Sequence, residues 1–579
     1  MNDERNQEHT ASDEKSRIEN PKSGIRNRIM WQVLLLGFFA LLYGGVVVPH
    51  LSVAYLDFGD GNYLYISSRL ADGIVLYRDI LAPQPPCHLL VGSFLIRVGR
   101  ALGQGVETQL YTVRFFSVLL HLATMLVVWA IARRLFGRAS AALWAAGLYL
   151  IIPVGFWWTL AYESESLEVF FLLLSFLLLI RWEKRSLAAA GLFGALAMAT
   201  NMTAAPYVGW VALFLLWRDR RRAAWYITPA VAVVLVTVAM GEWLSDSHYL
   251  ENVFFNQVGT FPHPDLASDL PPDAPFRTLR TILGYAFGKI AREGADVLAL
   301  DGIFISAAVA GLLMYLGKTD KEEEKEKGER KFELQAELRT DVPAYHFSFV
   351  GWYALWSFLA IGFVAKGATM DYIFTIGEPF VCLFAAYAIS EIVKQGMGYG
   401  VWGSGSERSA RFRVGTTAVA IVGLIVLFAR PVSWIHYVVR QQRAYEMNAA
   451  GVERVRSLIE EHSRAGDTIL AAPYYAFIAH RNLIEEHSEF FIWHIKYLLE
   501  QQVEQKAGPA THKVQAIAAA LRAKEIPVVV QEMDKGTHGP RQIFSIPEVR
   551  DAIRQNYQPL LAEPIEGLNC AINVLAPKR

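Results

Sequence analysis

The sequence predicts an all-α polytopic membrane protein of about 11 spans, followed by a small C-terminal α/β domain on the outer side of the membrane. Three observations support this fold class. Of the 579 residues, 53% are hydrophobic and only 19% are charged, whereas soluble domains carry about 25% charged residues. The apolar residues form runs near the length of about 20 residues that crosses a bilayer. Short arginine clusters follow alternate runs, as expected for cytoplasmic loops.

The charge balance excludes one class of partner. The chain has 55 basic and 55 acidic residues, whereas a nucleic-acid-binding domain usually carries a basic patch or stripe. Here the arginines stand at the ends of apolar runs, where they fit membrane topology better. We therefore expect the lipid bilayer as a partner, and no nucleic acid.

Changes of composition divide the chain into three parts. Residues 1–29 are polar and mixed in charge, which predicts a disordered cytoplasmic tail. Residues 30–430 contain the apolar runs and form the predicted transmembrane domain, whose first outer loop covers 51–108. Residues 431–579 change to alternating helix and strand patterns, which predict an extracytoplasmic α/β domain.

The ends of the apolar runs set the predicted orientation. Arg28 precedes the first run, so we expect the N-terminus in the cytoplasm. The second, third and fourth runs end at Arg133, at the acidic turn 162–165 and at Arg181, which is the alternation that the positive-inside rule requires. The predicted spans are 31–49, 111–132, 139–160, 167–180, a hairpin of two short helices within 186–217 that turns at 201–203, 224–243, 298–316, 347–365, 372–392 and 416–428.

Shorter elements are predicted outside the membrane. Residues 88–98 are apolar but too few to span a membrane, which predicts an interfacial helix. An odd number of spans places the C-terminal part on the outer side. Its predicted elements are helix 452–462, strand 468–472, helix 514–523, strand 526–531, helix 546–557 and strand 570–575.

Three polar clusters are the candidate functional residues. Ionisable groups are costly in lipid, so those collected at one membrane face indicate a site. The clusters are residues 56–65, 76–86 and 163–165. The predicted topology places all three at the outer face.

The first outer loop resembles that of GT-C glycosyltransferases, in particular protein O-mannosyltransferase-like enzymes and the aminoarabinose transferase that modifies lipid A. An acidic residue follows the first span closely. Gly-x-Tyr-x-Tyr (61–65), Arg-Leu-Ala-x-Gly (69–73), Tyr-Arg-Asp (77–79) and Pro-x-Pro-Pro (83–86) come after it. The resemblance implies the GT-C fold.

The resemblance also implies an activity. Such enzymes take a sugar from a polyprenyl-phosphate donor and pass it to a lipid, protein or glycan acceptor outside the cytoplasm. A carboxylate removes a proton from the acceptor, which attacks the anomeric carbon with inversion. We therefore expect a multi-pass protein of the cell inner (plasma) membrane, with a periplasmic C-terminal domain.

The resemblance further implies which residues are catalytic. Relatives carry two adjacent acids where this chain has Gly59 and Asp60, so Asp60 is the expected base and Asp57 its alternative. Asp57 could equally cap the following helix. Glu165 corresponds to an acid at the start of the fourth span, where the helix dipole alone would also favour it.

Basic residues are needed to neutralise the departing phosphate. Arg78 is the first candidate and Lys366 the second, and Asp79 could hold Arg78 in place. The remaining substrate-binding candidates are Tyr63, Tyr77 and Glu163.

Other readings remain open at this point. Asp57, Asp60 and Glu165 could bind a divalent metal ion, and no other cofactor is expected. A polytopic transporter or lipid-linked-sugar flippase would show inverted repeats and charges in the middle of the membrane. Spans 2, 3, 4 and 7 have no ionisable residue near their middles apart from His121, which favours the transferase.

Overall fold

A computed structural model gives the architecture of the protein. The residues that it describes are 21–51, 54–56, 58–152, 160–255, 302, 304–315, 376–398, 448–488, 509–534, 542–567 and 570–579.

Helices dominate the described part of the chain. They are α1 (Pro21–Val47), α2 (Phe58–Ala71), α3 (Pro86–Ala101), α4 (Val106–Phe136), α5 (Ala139–Ile151), α6 (Ser164–Leu179), α7 (Lys184–Met198), α8 (Ala205–Arg218), α9 (Arg220–Leu244), α10 (Phe304–Tyr315), α11 (Glu378–Gly398), α12 (448–462), α13 (Pro473–Ile478), α14 (Pro509–Ala523) and α15 (Pro547–Asn556). Short 3-10 helices lie at Val48–His50, Met202–Ala204, Ile484–Glu486 and Gln542–Ser545, and a π-helical turn at Glu251–Phe255.

Local sequence explains where several helices begin. α3, α13 and α15 each start with a proline at or next to the first helical position, where the missing N–H costs nothing. The side chain of Asp219 accepts hydrogen bonds from the N–H groups of Arg221 and Arg222, and so caps α9.

Three of the described helices are long and apolar enough to cross a membrane, namely residues Ile29–His50, Val106–Phe136 and Arg220–Leu244. α5 and α10 are shorter apolar helices. These helices match predicted spans 1, 2, 7, 3 and 8. The number of about 11 spans stays a prediction, because predicted spans 347–365 and 416–428 lie outside the described residues.

The predicted hairpin within 186–217 is confirmed. α7 and α8 are separated by the 3-10 turn Met202–Ala204, where the side chain of Asn201 accepts a hydrogen bond from the N–H of Thr203. α7 packs between α6 and α9. That both ends of this hairpin lie at one membrane face stays a prediction from the basic residues that border it.

The C-terminal part contains helices and strands, as predicted. The strands are β1 (Thr468–Ile469), β2 (Asn482–Leu483), β3 (Val529–Asp534), β4 (Tyr557–Pro559), β5 (Ile565–Glu566) and β6 (Cys570–Pro577). β6 is the centre of an antiparallel sheet in which it pairs with β3, β4 and β5. β1 and β2 run parallel, and a parallel bridge from Leu470 to Val529 joins them to β3.

Two strand predictions were wrong in their bounds, and three of the described strands were not predicted. The strand expected at 468–472 ends at Ile469, because Pro473 begins α13. The strand expected at 526–531 starts three residues later, at Val529, where antiparallel pairing with β6 begins. The short strands β2, β4 and β5 have too few residues to give a periodic pattern.

Separate hydrophobic cores meet along α4. The membrane core includes Val128 of α4 together with residues of α5 and α6, such as Ala145 and Phe176. The outer core includes Val113, nearer the start of α4, with Leu64 of α2 and Tyr474 of α13. The first outer loop and the C-terminal part therefore share one core at the same end of α4.

We predict that Gly191→Ala in α7 destabilises the protein. A Cβ atom on Gly191 would overlap the carbonyl oxygen of Tyr226 in α9, so the two helices would have to separate. Gly209→Ala in α8 is the control, because its exposed position has room for a methyl group and alanine favours a helix interior by about 1 kcal/mol. Thermal unfolding in detergent should show a lower midpoint for Gly191→Ala only. Equal midpoints for both variants would contradict the close packing of α7 on α9.

Candidate functional site

The first turn of α2 carries a carboxylate that is enclosed by protein. Asp60 lies in this turn, where the helix dipole favours an acidic side chain. The side chains of Asp60 and of Arg114 in α4 are both 0% exposed, and they form an ion pair. The Nε atom of Arg114 lies 3.4 Å from Oδ1 of Asp60, and the N–H of Tyr162 donates to that oxygen at 2.7 Å. Asp60 therefore connects α2 to α4 and to the segment before α6.

The acidic turn before α6 lies directly beside this ion pair. Glu163 immediately precedes α6, and its side chain is buried. Its Oε2 atom lies 2.7 Å from the point where a Cβ atom on Gly59 would be. The missing side chain at position 59 thus leaves room for the Glu163 carboxylate. The structure brings together the clusters 56–65 and 163–165, as the predicted topology requires.

Two further glutamates extend this acidic region along α6. Glu165 and Glu168 are buried and three residues apart, so they lie on one helix face. Oε1 of Glu165 accepts a hydrogen bond from Nδ2 of Asn201 at 3.0 Å. Oε1 of Glu168 accepts one from Oγ1 of Thr203 at 2.5 Å. Both carboxylates are therefore tied to the turn between α7 and α8.

Ring contacts connect α2, α3 and the segment before α6. The ring of His88 stacks on Tyr162 at 3.9 Å and meets Tyr63 edge-on at 5.0 Å. The hydroxyl of Tyr162 donates to the carbonyl oxygen of His88 at 2.7 Å. Burial lowers the pKa of His88 to about 3, because the imidazolium ion would lose its hydration. His88 is therefore neutral at physiological pH.

Tyr77 holds a strained turn in the cluster 76–86. Its backbone has φ of 69°, a left-handed conformation that is rare for a bulky residue. Its hydroxyl donates to the carbonyl oxygen of Gln84 at 2.8 Å, and its ring packs edge-on against Tyr249 at 5.1 Å. Burial raises the pKa of Tyr77 above its ordinary value. Tyr63 and Tyr77 are both buried in this structure, and their role in substrate binding stays a prediction.

Arg78 is exposed at the next position. Its Nε atom lies 2.8 Å from Asp79, and its Nη1 atom lies 3.6 Å from Asp246. The hydrogen bond from Arg78 lowers the pKa of Asp79, so this carboxyl is ionised. The structure has the predicted Arg78–Asp79 pair.

Some predicted site residues lie outside the described part of the chain, namely Asp57 and Lys366. Among the described residues, no three His, Cys, Asp or Glu side chains are placed to hold a metal ion. The nearby charge of Arg114 also makes Asp60 an unfavourable ligand for a second cation.

Several residues of this region were missed in the sequence. Arg114 is an arginine inside a predicted span, at its outer end, which is a position that the positive-inside rule disfavours. That violation was the available signal. Glu168 gave a similar signal, as an acid inside the predicted span 167–180. Asn201 and Thr203 gave none, because their contacts with α6 depend on how that helix packs against the hairpin.

Comparisons with known proteins bear on the family and the fold. A model of the dolichyl-phosphate-mannose-protein mannosyltransferase family matches residues 84–243. ArnT from Cupriavidus metallidurans in the apo state is 15% identical, with a TM-score of 0.50, over 95% of this chain and 98% of its own. The same protein bound to undecaprenyl phosphate is 14% identical, with a TM-score of 0.50, over 94% and 98%. No curated protein matches the chain.

An oligosaccharyltransferase from Archaeoglobus fulgidus in the apo form is also similar, at 12% identity and a TM-score of 0.49, over 93% of this chain and 80% of its own. The likeness to ArnT shows a common fold over nearly the whole chain. With the family match, it confirms the resemblance to GT-C membrane glycosyltransferases predicted from the first outer loop.

The buried histidines predict a pH-dependent stability. His88 and His487 have pKa values of about 3 in the folded protein, through burial, against about 6.5 when unfolded. The unfolded chain therefore takes up protons first, and the stabilisation that is complete above pH 6.5 is lost as the pH falls toward 3.

Each histidine should contribute a loss of about 2 kcal/mol at pH 5. Unfolding midpoints in detergent at pH 7, 6 and 5 should therefore fall, and His88→Phe, which keeps a stacked ring, should reduce the fall. An identical fall in the wild type and the variant would show that His88 is not a buried neutral group.

Proposed function

We propose that the protein is an inverting glycosyltransferase that moves a sugar from a polyprenyl-phosphate donor to an extracytoplasmic acceptor. The main support is the contact between the start of α2 and the acidic turn before α6, within a chain that has the fold of ArnT. One structure of that protein contains undecaprenyl phosphate. A lipid-phosphate donor suits a site at the membrane face.

The reaction needs a carboxylate that can take a proton from the acceptor. Asp60, the expected base, already accepts hydrogen bonds from Arg114 and from the N–H of Tyr162, and it is fully buried. We assign it a positioning role, in which it fixes Tyr162 and therefore the adjacent Glu163. Glu165 is similarly bound by Asn201 and supports the same turn.

Glu163 is the described carboxylate that we place at the acceptor. Its carboxylate lies against the backbone of Gly59, which has no side chain. The acceptor hydroxyl or amine forms its bond to the anomeric carbon while the bond from that carbon to the phosphate oxygen breaks. The acceptor proton passes to Glu163, and the polyprenyl phosphate leaves as an anion. Such proton transfer contributes about 10²–10⁴-fold to a rate.

Arg78 is the proposed partner of the donor phosphate. It is exposed, and its planar guanidinium matches the oxygens of a phosphate. Asp79 limits the orientations of Arg78 through a hydrogen bond at 2.8 Å. Lys366 remains a second candidate from the sequence.

The acceptor is a lipid, a protein or a glycan. The proposed location is the cell inner membrane, with the N-terminus in the cytoplasm and residues 431–579 in the periplasm. The three long apolar helices and the arginine clusters support this placement.

The test is a panel of polyprenyl-phosphate sugars incubated with the purified protein. We expect the wild type to consume one donor and release polyprenyl phosphate. Glu163→Gln should lower the rate by about 10²-fold or more, without a change in the unfolding midpoint. Asp60→Asn should lower both, because it leaves Arg114 buried without its counter-charge, at a cost of about 3–5 kcal/mol.

Glu548→Gln is the control, since this acid of α15 is exposed in the C-terminal part. It should keep full rate and stability. Consumption of no donor by the wild type would refute the function. Full activity of both Asp60→Asn and Glu163→Gln would refute the site.

A further inference from the structure

One face of α2 is covered by the C-terminal part of the chain. Gly61, Tyr65 and Arg69 are spaced four residues apart, so they lie on a single face of the helix. A Cβ atom on Gly61 would lie 2.6 Å from the Cβ atom of Tyr474 in α13. The hydroxyl of Tyr474 donates to the carbonyl oxygen of Ala54 at 3.0 Å. α13 therefore packs directly on the backbone at the start of α2.

Glu486 holds the other end of the same face. Its carboxylate accepts a hydrogen bond from the hydroxyl of Tyr65 at 2.9 Å and forms an ion pair with Arg69 at 2.5 Å. The side chains of Arg69 and Glu486 are only 16% and 17% exposed, so water screens the pair weakly. The N–H of Leu483 also donates to the hydroxyl of Tyr65, at 2.7 Å. Arg69 therefore binds a partner from the C-terminal part.

Backbone strain accompanies this contact. Glu485 and Glu486 have φ of 54° and 48°, a left-handed conformation that L residues adopt at a steric cost. Such strain persists only where the surroundings determine it, and it is concentrated at functional positions. Here it turns the Glu486 carboxylate towards Tyr65 and Arg69.

Ser488 and Lys513 of the C-terminal part also contact the loop that carries Arg78. Nζ of Lys513 donates to the carbonyl oxygens of Asp79 at 3.2 Å and of Glu485 at 3.0 Å. Oγ of Ser488 donates to the carbonyl oxygen of Leu81 at 2.9 Å. Residues 485–488 are therefore connected to α2 and to residues 79–81 at once.

We propose that the segment 483–488 sets the position of α2 relative to the Arg78 loop, with Glu486 as the positioning residue. This inference rests on the proposed function, in which the start of α2 and Arg78 serve the acceptor and the donor phosphate. The C-terminal domain is then a working part of the transfer site. Loss of the Glu486 contact lets α2 shift. Gly59 at the start of α2 then moves relative to the Glu163 carboxylate.

The experiment compares Glu486→Gln with the charge-reversed pair Arg69→Glu/Glu486→Arg in the full-length protein. Glu486→Gln should lower kcat by about 10- to 100-fold, as expected for a small displacement of reacting groups. The KM for donor and for acceptor should stay unchanged, and the unfolding midpoint should fall only slightly, because Arg69 keeps Asp72 as an ion-pair partner. The charge-reversed pair should restore most of kcat. Glu461→Gln, an exposed acid of α12, is the control and should behave as the wild type.

Hydrogen exchange of the α2 amides gives a readout that does not depend on activity. Exchange should rise in Glu486→Gln and return towards the wild-type level in the charge-reversed pair. A wild-type protein that consumes no donor would refute the proposed function. Unchanged exchange of the α2 amides in Glu486→Gln would refute the positioning role of Glu486, whether or not the wild type is active.

Three results with an active wild type would overturn the proposal. Glu486→Gln could keep its kcat, or lose activity only in proportion to its loss of folded protein. It could instead raise only the acceptor KM, which would make the C-terminal domain an acceptor-selecting surface.

Discussion

The buried ion pair between Asp60 and Arg114 joins three segments of the chain that are far apart in sequence. Both groups are removed from water, so each depends on the other, and losing one partner of such a pair costs about 3–5 kcal/mol. Asp60 also accepts a hydrogen bond from the N–H of Tyr162, so the same carboxylate positions the acidic turn before α6. The position of Glu163 over Gly59 follows from this arrangement.

Because Asp60 is buried and paired with Arg114, we assign positioning and proton acceptance to different carboxylates. Both carboxylate oxygens of Asp60 already accept hydrogen bonds from Arg114, and Oδ1 also accepts one from the N–H of Tyr162. We therefore propose Glu163 as the proton acceptor. Its buried carboxylate lies against Gly59, where position 59 has no side chain. Glu165 and Glu168 stay bound to the hairpin turn by Asn201 and Thr203.

The outer core also connects α2 to the C-terminal part of the chain. Tyr474 packs on Gly61, and Glu486 binds Tyr65 and Arg69, so α2 lies between the membrane helices and the C-terminal segment. A helix held on two sides has little freedom to rotate. The strained backbone at Glu486 is stable here because its carboxylate has partners on α2.

The sequence by itself determined the helical membrane character, the hairpin near 201–203 and most C-terminal helices, because hydrophobic periodicity and basic clusters are local signals. It also indicated the outer loop with Tyr-Arg-Asp at 77–79 and its likeness to GT-C enzymes. Only the tertiary structure decided that Asp60 pairs with Arg114, that Glu163 lies at Gly59 and that Glu486 reaches Arg69. These contacts join residues separated by about 50 to more than 400 positions, and no local pattern specifies which distant side chains meet.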